Sequence, residues 1–181
     1  RNREALRQHR KGGTGGSQVI VNGATLLDHT PIKDMATQKH RENGVSWGLS
    51  EAGYDIRIKQ DVIFHPENAV EKAGVWVDGK YAMGRFVIAS TMEEFQMPTD
   101  MVGVVHDKST WARRGLSVFN TVIEPGWEGF LTLELVYHGR QVLHIPAGTG
   151  IAQVVFHRTT DKASYDGKYQ GQPDRPVEAI D

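Results

Sequence analysis

Residues 107–135 read DKSTWARRGLSVFNTVIEPGWEGFLTLEL. The stretch opens on a basic and hydroxyl cluster, Lys108-Ser109-Thr110, followed by Arg113 and Arg114. A short apolar run leads to Glu124-Pro125-Gly126-Trp127-Glu128-Gly129, where Pro and Gly around an aromatic predict a tight turn. Apolar and β-branched residues on both sides predict a hairpin. In a strand over 130–135, alternation places Leu131, Leu133 and Leu135 on one face and Phe130, Thr132 and Glu134 on the other. Cations and a carboxylate joined by one hairpin suit an anionic substrate and a proton transfer. A solvated strand face is the plainer reading of the same pattern.

KSTWARRGL resembles the basic-Ser-Ser-Leu-Ala-Arg-x-Gly-Leu motif of dCTP deaminases. IEPGWEGFLTLEL resembles their Ile-Asp-Pro-Gly-Trp-x-Gly-x-x-x-Leu-Glu strand. AGYDIRI (52–58), FVIASTMEEFQMPTDMVGVV (86–105), IPAGTGIAQVVF (145–156) and YDGKYQGQ (165–172) extend the likeness in the family's order. The family belongs to the trimeric dUTPase superfamily. The resemblance therefore implies a mainly all-β fold, a distorted jelly roll or β-barrel with short helices and a C-terminal tail that closes over the nucleotide. It divides the chain into an arm (1–17), a β domain (18–160) and the tail (161–181).

Composition agrees with a single globular domain. The chain has 181 residues, 39% hydrophobic and 24% charged, with a net charge of -1. Near-neutrality predicts no bulk attraction to nucleic acid or membrane, so phosphate binding must come from a local cluster. Cysteine is absent, which excludes disulfides and thiolate metal sites and fits a reducing cytoplasm. No run approaches the ~18 apolar residues of a membrane span, and no signal peptide is visible. The expectation is a soluble, cytoplasmic protein.

Residues 1–17 are basic and then glycine-rich, as in a flexible arm. QVIVNG (18–23) predicts a short strand and turn, and weak helical spacing through Ile32, Met35 and Ala36 predicts a short helix within 28–43. His40-Arg41-Glu42 matches half of a zinc-deaminase signature, but no cysteine supplies the other half. An exposed polar turn is expected there, and no zinc. Tyr54, Ile56 and Ile58 alternate with Asp55 and Arg57 as a strand, and Asp78-Gly79 predicts a two-residue hairpin turn. Further strands are expected at 86–90, 101–106, 141–145 and 151–157, with turns at 98–100 and 146–150.

Under the resemblance, Glu134 is the catalytic glutamate, and Ser109 and Arg113 orient the attacking water or the carboxylate. Lys108, Thr110, Lys168 and Gln172 hold the triphosphate, which brings its own Mg²⁺. Trp127 packs beneath the deoxyribose, and Glu124 stands at the position of an aspartate that meets the 3′-hydroxyl. Val122, Ile123, Tyr165 and Tyr169 complete the substrate contacts. The substrate is dCTP, or dUTP, and the assembly a homotrimer with sites between subunits. Two features lean toward a dUTPase: AGYDI, and a shorter loop from Ser109 to Glu124. Thr121-Val122 also replaces the His-Arg pair typical of deaminases. A dUTPase would split the α–β phosphate bond with a water activated at Glu124. Three readings stay open: dCTP deaminase, dUTPase or bifunctional enzyme, and non-catalytic nucleotide sensor.

Overall fold

The computed structural model describes residues 19–68, 70–119 and 121–181; the arm predicted at 1–17 lies outside them. Strands β1 (Ile20–Val21), β2 (Lys39–Glu42), β3 (Val45–Leu49), β4 (Tyr54–Arg57) and β5 (Val62–His65) come first. They are followed by β6 (Gly74–Val77), β7 (Lys80–Met83), β8 (Phe86–Gln96), β9 (Met101–Asp107) and β10 (Leu116–Val118). The last four are β11 (Val122–Ile123), β12 (Glu128–Tyr137), β13 (Leu143–Ile145) and β14 (Gly150–Arg158). Two short helices, α1 (Gly23–His29) and α2 (Ser109–Ala112), complete the set.

The strands form three antiparallel sheets. The largest runs β11-β9-β14-β4-β3-β2 with β1 also paired to β14; the others run β10-β12-β8 and β13-β5-β6-β7. This is the mainly-β, jelly-roll type of architecture expected, with open sheets and no closed barrel among the described strands. Tyr54, Phe64, Phe95, Phe156, Leu133 and Leu135 are fully buried and fill the space between the sheets. The Asp78-Gly79 turn forms as expected, with φ of 46° and 78°, the left-handed pair that lets β6 and β7 pair directly. No described helix is long and apolar enough to cross a membrane.

Four sequence expectations are corrected. The 124–129 turn does not close a hairpin: β11 pairs with β9, whereas β12 pairs with β8 and β10. The turn is a crossing between sheets, and its residues fold back on themselves through Trp127 N–H donating to the Glu124 carbonyl at 3.2 Å. The alternation along β12 is also broken. The register steps from Phe130↔Glu94 to Thr132↔Ser90, so β8 bulges opposite Leu131. Leu131 thereby joins Thr132 and Glu134 at one cavity, while Leu133 and Leu135 enter the core.

The helix predicted within 28–43 is absent. The helix lies earlier, at Gly23–His29, ended by Thr30 at φ 42°. Ile32 instead bridges to Phe95, and 39–42 is a strand. The weak 3.6-residue spacing there reflected single apolar anchors on an extended path. Likewise His40-Arg41-Glu42 is exposed as expected but pairs in β2 with β3 rather than forming a turn.

Candidate active site

A cavity of about 430 Å³ opens where the sheets and the C-terminal segment meet. Its walls come from β8 (Phe86, Ile88), from Thr121 to Glu124 and Trp127, from β12 (Leu131, Thr132, Glu134) and from the tail (Tyr165, Tyr169, Gln172). Glu134 is the chemically notable wall residue. It faces Ile88 across the β12–β8 ladder, and its backbone carbonyl accepts the Phe119 N–H at 2.8 Å. Its carboxyl oxygen Oε2 is buried and without a hydrogen-bond partner. Burial pushes this carboxyl above the ordinary glutamate value of 4.5. A buried acceptor left unsatisfied costs stability, which makes Oε2 a natural place for a water or a protonated ligand atom.

The tail is docked rather than loose. Gly129 and Gln172 form a parallel bridge, and Phe130 N–H donates to the Gln172 carbonyl at 3.0 Å. Only glycine suits position 129: its φ is 131°, and an added Cβ would stand 2.6 Å from the Gln172 nitrogen. Trp127 Nε1 donates to the Tyr169 carbonyl at 2.7 Å, and the Gln172 side-chain oxygen accepts from the Thr132 N–H at 3.2 Å. Gln170 adds bonds to both sides of Trp127, donating to the Gly126 carbonyl at 2.9 Å and accepting the Glu128 N–H at 3.0 Å. Trp127 is buried, stacks obliquely on Phe95 with ring centres 6.0 Å apart, and still lines the cavity. It is at once a core anchor and a cavity wall.

Residues 26–159 match the family model described as dCTP deaminase-like. The chain belongs to that family. A dCTP deaminase of Campylobacter jejuni (strain RM1221) is 34% identical over 163 residues, 81% of this chain and 88% of that protein. One from Acidovorax sp. (strain JS42) is 38% identical over 145 residues, 71% of this chain and 77% of that protein. Among solved structures, a native EIAV dUTPase aligns with a TM-score of 0.47 at 18% identity, over 73% of this chain and 92% of that chain.

The site residues expected from the family motifs divide into two groups. Glu134, Val122, Ile123, Glu124, Trp127, Tyr165, Tyr169 and Gln172 converge on the cavity. Lys108, Ser109, Thr110, Arg113 and Lys168 are not among its described lining. Ser109 and Arg113 are exposed on or beside α2, where Arg113 N–H donates to the Ser109 carbonyl at 3.1 Å. Lys108 pairs with the buried Asp55 instead, and Lys168 reaches the Ile180 carbonyl. Motif reading missed Phe86, Ile88, Leu131 and Thr132, and also Val177 to Ala179 of the tail, all of which line the cavity. The first two follow from strand pairing opposite Glu134. The last three carry no motif, and only the path of the docked tail brings them in.

Proposed function

We infer that this protein hydrolyses dCTP to dUTP and ammonia. The observation that carries the reading is the partnerless, buried Glu134 oxygen in the wall of a cavity shared with Trp127 and the tail. Deamination needs a water to attack C4 of cytosine while N3 and the departing amine gain protons. One carboxylate can take the water's proton and then deliver it, provided burial holds it closer to neutrality than an exposed glutamate. Burial raises the Glu134 carboxyl in that direction. Trp127 offers a flat apolar floor for the deoxyribose, on which a 2′-hydroxyl would be crowded.

The triphosphate would enter as its Mg²⁺ complex, and its charge must be met. The cavity of one chain is lined by Glu124, Glu134 and Glu178, with no Lys or Arg among its described lining residues. The exposed Ser109 and Arg113 would therefore act across a subunit boundary, completing a neighbour's cavity in a homotrimer. Light scattering of active protein at micromolar concentration is expected to give a trimer mass; a fully active monomer would refute this arrangement.

A second reading has one observation in its favour. Glu124 lines the same cavity, where it could activate a water against the α-phosphate as in a dUTPase. Incubation with Mg–dCTP and Mg–dUTP, with the products resolved, separates the readings. The expected result is dUTP from dCTP. Formation of dUMP and pyrophosphate would mark a dUTPase or bifunctional enzyme, and binding without turnover a nucleotide sensor.

A further inference from the structure

Lys108 opens the basic-hydroxyl motif, yet its side chain is turned away from solvent. The Lys108 side chain is 11% exposed and its ammonium pairs with Asp55, whose side chain is 3% exposed. Asp55 is held on its other sides as well. Ser46 Oγ donates to its Oδ2 at 3.2 Å, and Gln153 Nε2 donates to its Oδ1 at 3.3 Å. Gln153 Nε2 also donates to Ser50 Oγ at 2.9 Å. Asp55, Gln153 and His106 lie in register across β4, β14 and β9, so the network is anchored at the middle of the largest sheet.

The other end of the pair is the first turn of α2. The Lys108 carbonyl accepts the Trp111 N–H at 2.9 Å and the Ala112 N–H at 3.0 Å, while its own side chain does not cap that turn. Trp111 is buried and its Nε1 donates to the Gly150 carbonyl at 2.7 Å, again on β14. The four-residue helix is thus pinned by Lys108 at its start and by Trp111 within. An ammonium already matched by a buried carboxylate presents little net charge to a phosphate. Removing either partner leaves the other buried and uncompensated, which is far costlier than removing both.

We propose that Asp55 is a positioning residue of the active site, holding Lys108 as a buried strut that sets the direction of Ser109 and Arg113. The kinetic consequence rests on the deaminase reading; the pair itself rests on geometry alone. A misaimed group beside reacting atoms costs about 10- to 100-fold in rate. The test uses Asp55→Asn, Lys108→Met, Lys108→Arg and the double variant Asp55→Asn/Lys108→Met. Mg–dCTP kinetics are measured together with hydrogen exchange at the Trp111 and Ala112 amides.

Each uncompensated single variant is expected to lower kcat by about 10- to 100-fold with KM within about threefold. Exchange at both amides should accelerate. The double variant should be no worse than the poorer single, because neither charge is left alone. Lys108→Arg, which keeps the cation, should lose far less than Lys108→Met. If Asp55→Asn folds poorly, the double variant, with no buried charge left, and Lys108→Arg supply the same readouts. A Lys108→Met variant with KM raised tenfold and kcat intact, beside a silent Asp55→Asn, would make Lys108 a direct phosphate ligand and overturn the proposal. Unchanged exchange and kinetics in Asp55→Asn would overturn it too. A parent protein without dCTP turnover would instead refute the deaminase reading, and the exchange measurement would then decide the pair by itself.

Discussion

Two glutamates, one buried whole and one with a buried carboxyl oxygen, meet the same physics with opposite outcomes. Glu93 sits on β8 with 4% of its surface exposed, and Glu134 sits on the neighbouring β12 beside the cavity. Burial pushes both carboxyls above their ordinary value. Glu93, however, is fully partnered. The Arg57 N–H and Nε each donate to it at 2.8 Å, and the Arg57 guanidinium lies 3.8 Å from the Trp47 ring centre. Among the described residues no guanidinium bonds Glu134, and its Oε2 has no hydrogen-bond partner. Burial alone therefore does not mark a catalytic carboxylate. What distinguishes the site is burial without a resident partner, next to space for a ligand.

The largest expected effect follows from removing the proton-accepting group. Glu134→Gln should lower kcat for dCTP by about 10² to 10⁴, with KM nearly unchanged because the triphosphate contacts are untouched. Parent-level deamination by this variant would end the mechanism. The acid limb of the parent's kcat profile should also lie above pH 4.5, since Glu134 must be ionised to act and its burial raises its pKa. Truncation before Tyr165 comes next. It deletes Tyr165, Tyr169 and Gln172 from the cavity and should lower kcat/KM by about 10²-fold. Circular dichroism of the β domain should stay the same.

Glu93→Ala tests the opposite arm of the comparison. It leaves Arg57 half-buried without its carboxylate and should cost about 3 kcal/mol of stability. In denaturant melts the transition should move to lower concentration, while kcat per folded site holds. A large kcat loss without destabilisation would erase the distinction between the two residues.

The smallest effect is a gain. The folded pKa of Glu134 is raised, so its ionisation above that pKa weakens the fold, and the penalty disappears below the unfolded value near 4.5. Glu134→Gln should therefore be slightly more stable than the parent at neutral pH. The two proteins should converge as pH falls below about 4.5. Calorimetric Tm values at several pH points read this directly, and a variant less stable at pH 7 would contradict the unsatisfied state of Oε2.

Local chemistry was legible wherever one residue type answers one geometric demand. Asp78-Gly79 is such a case, because few other pairs accept two positive φ values. The strand at 54–57 is another, its alternate residues buried or turned to partners. Glu134 and Trp127 stood out through the resemblance to the family's motifs, and both line the cavity. The apparent hairpin failed for a physical reason. Turn chemistry specifies a change of direction, but pairing depends on which edge is open, and β9 and β8 took the two flanking strands. The face assignment of Leu131 failed because a bulge in the partner strand cannot be read from the bulged strand's neighbour.

The amino-acid sequence by itself determined the mainly-β class and the likeness to the family, and through that likeness it marked Glu134 and Trp127 as candidates, since these rest on residue identity and motif order. Only the tertiary structure decided that the Oε2 atom of Glu134 lacks a partner, that Lys108 is committed to Asp55, and that the tail lies against Gly129. Those outcomes join residues 53 and 43 positions apart or turn on a missing neighbour. Both depend on how sheets stack, which no local pattern encodes.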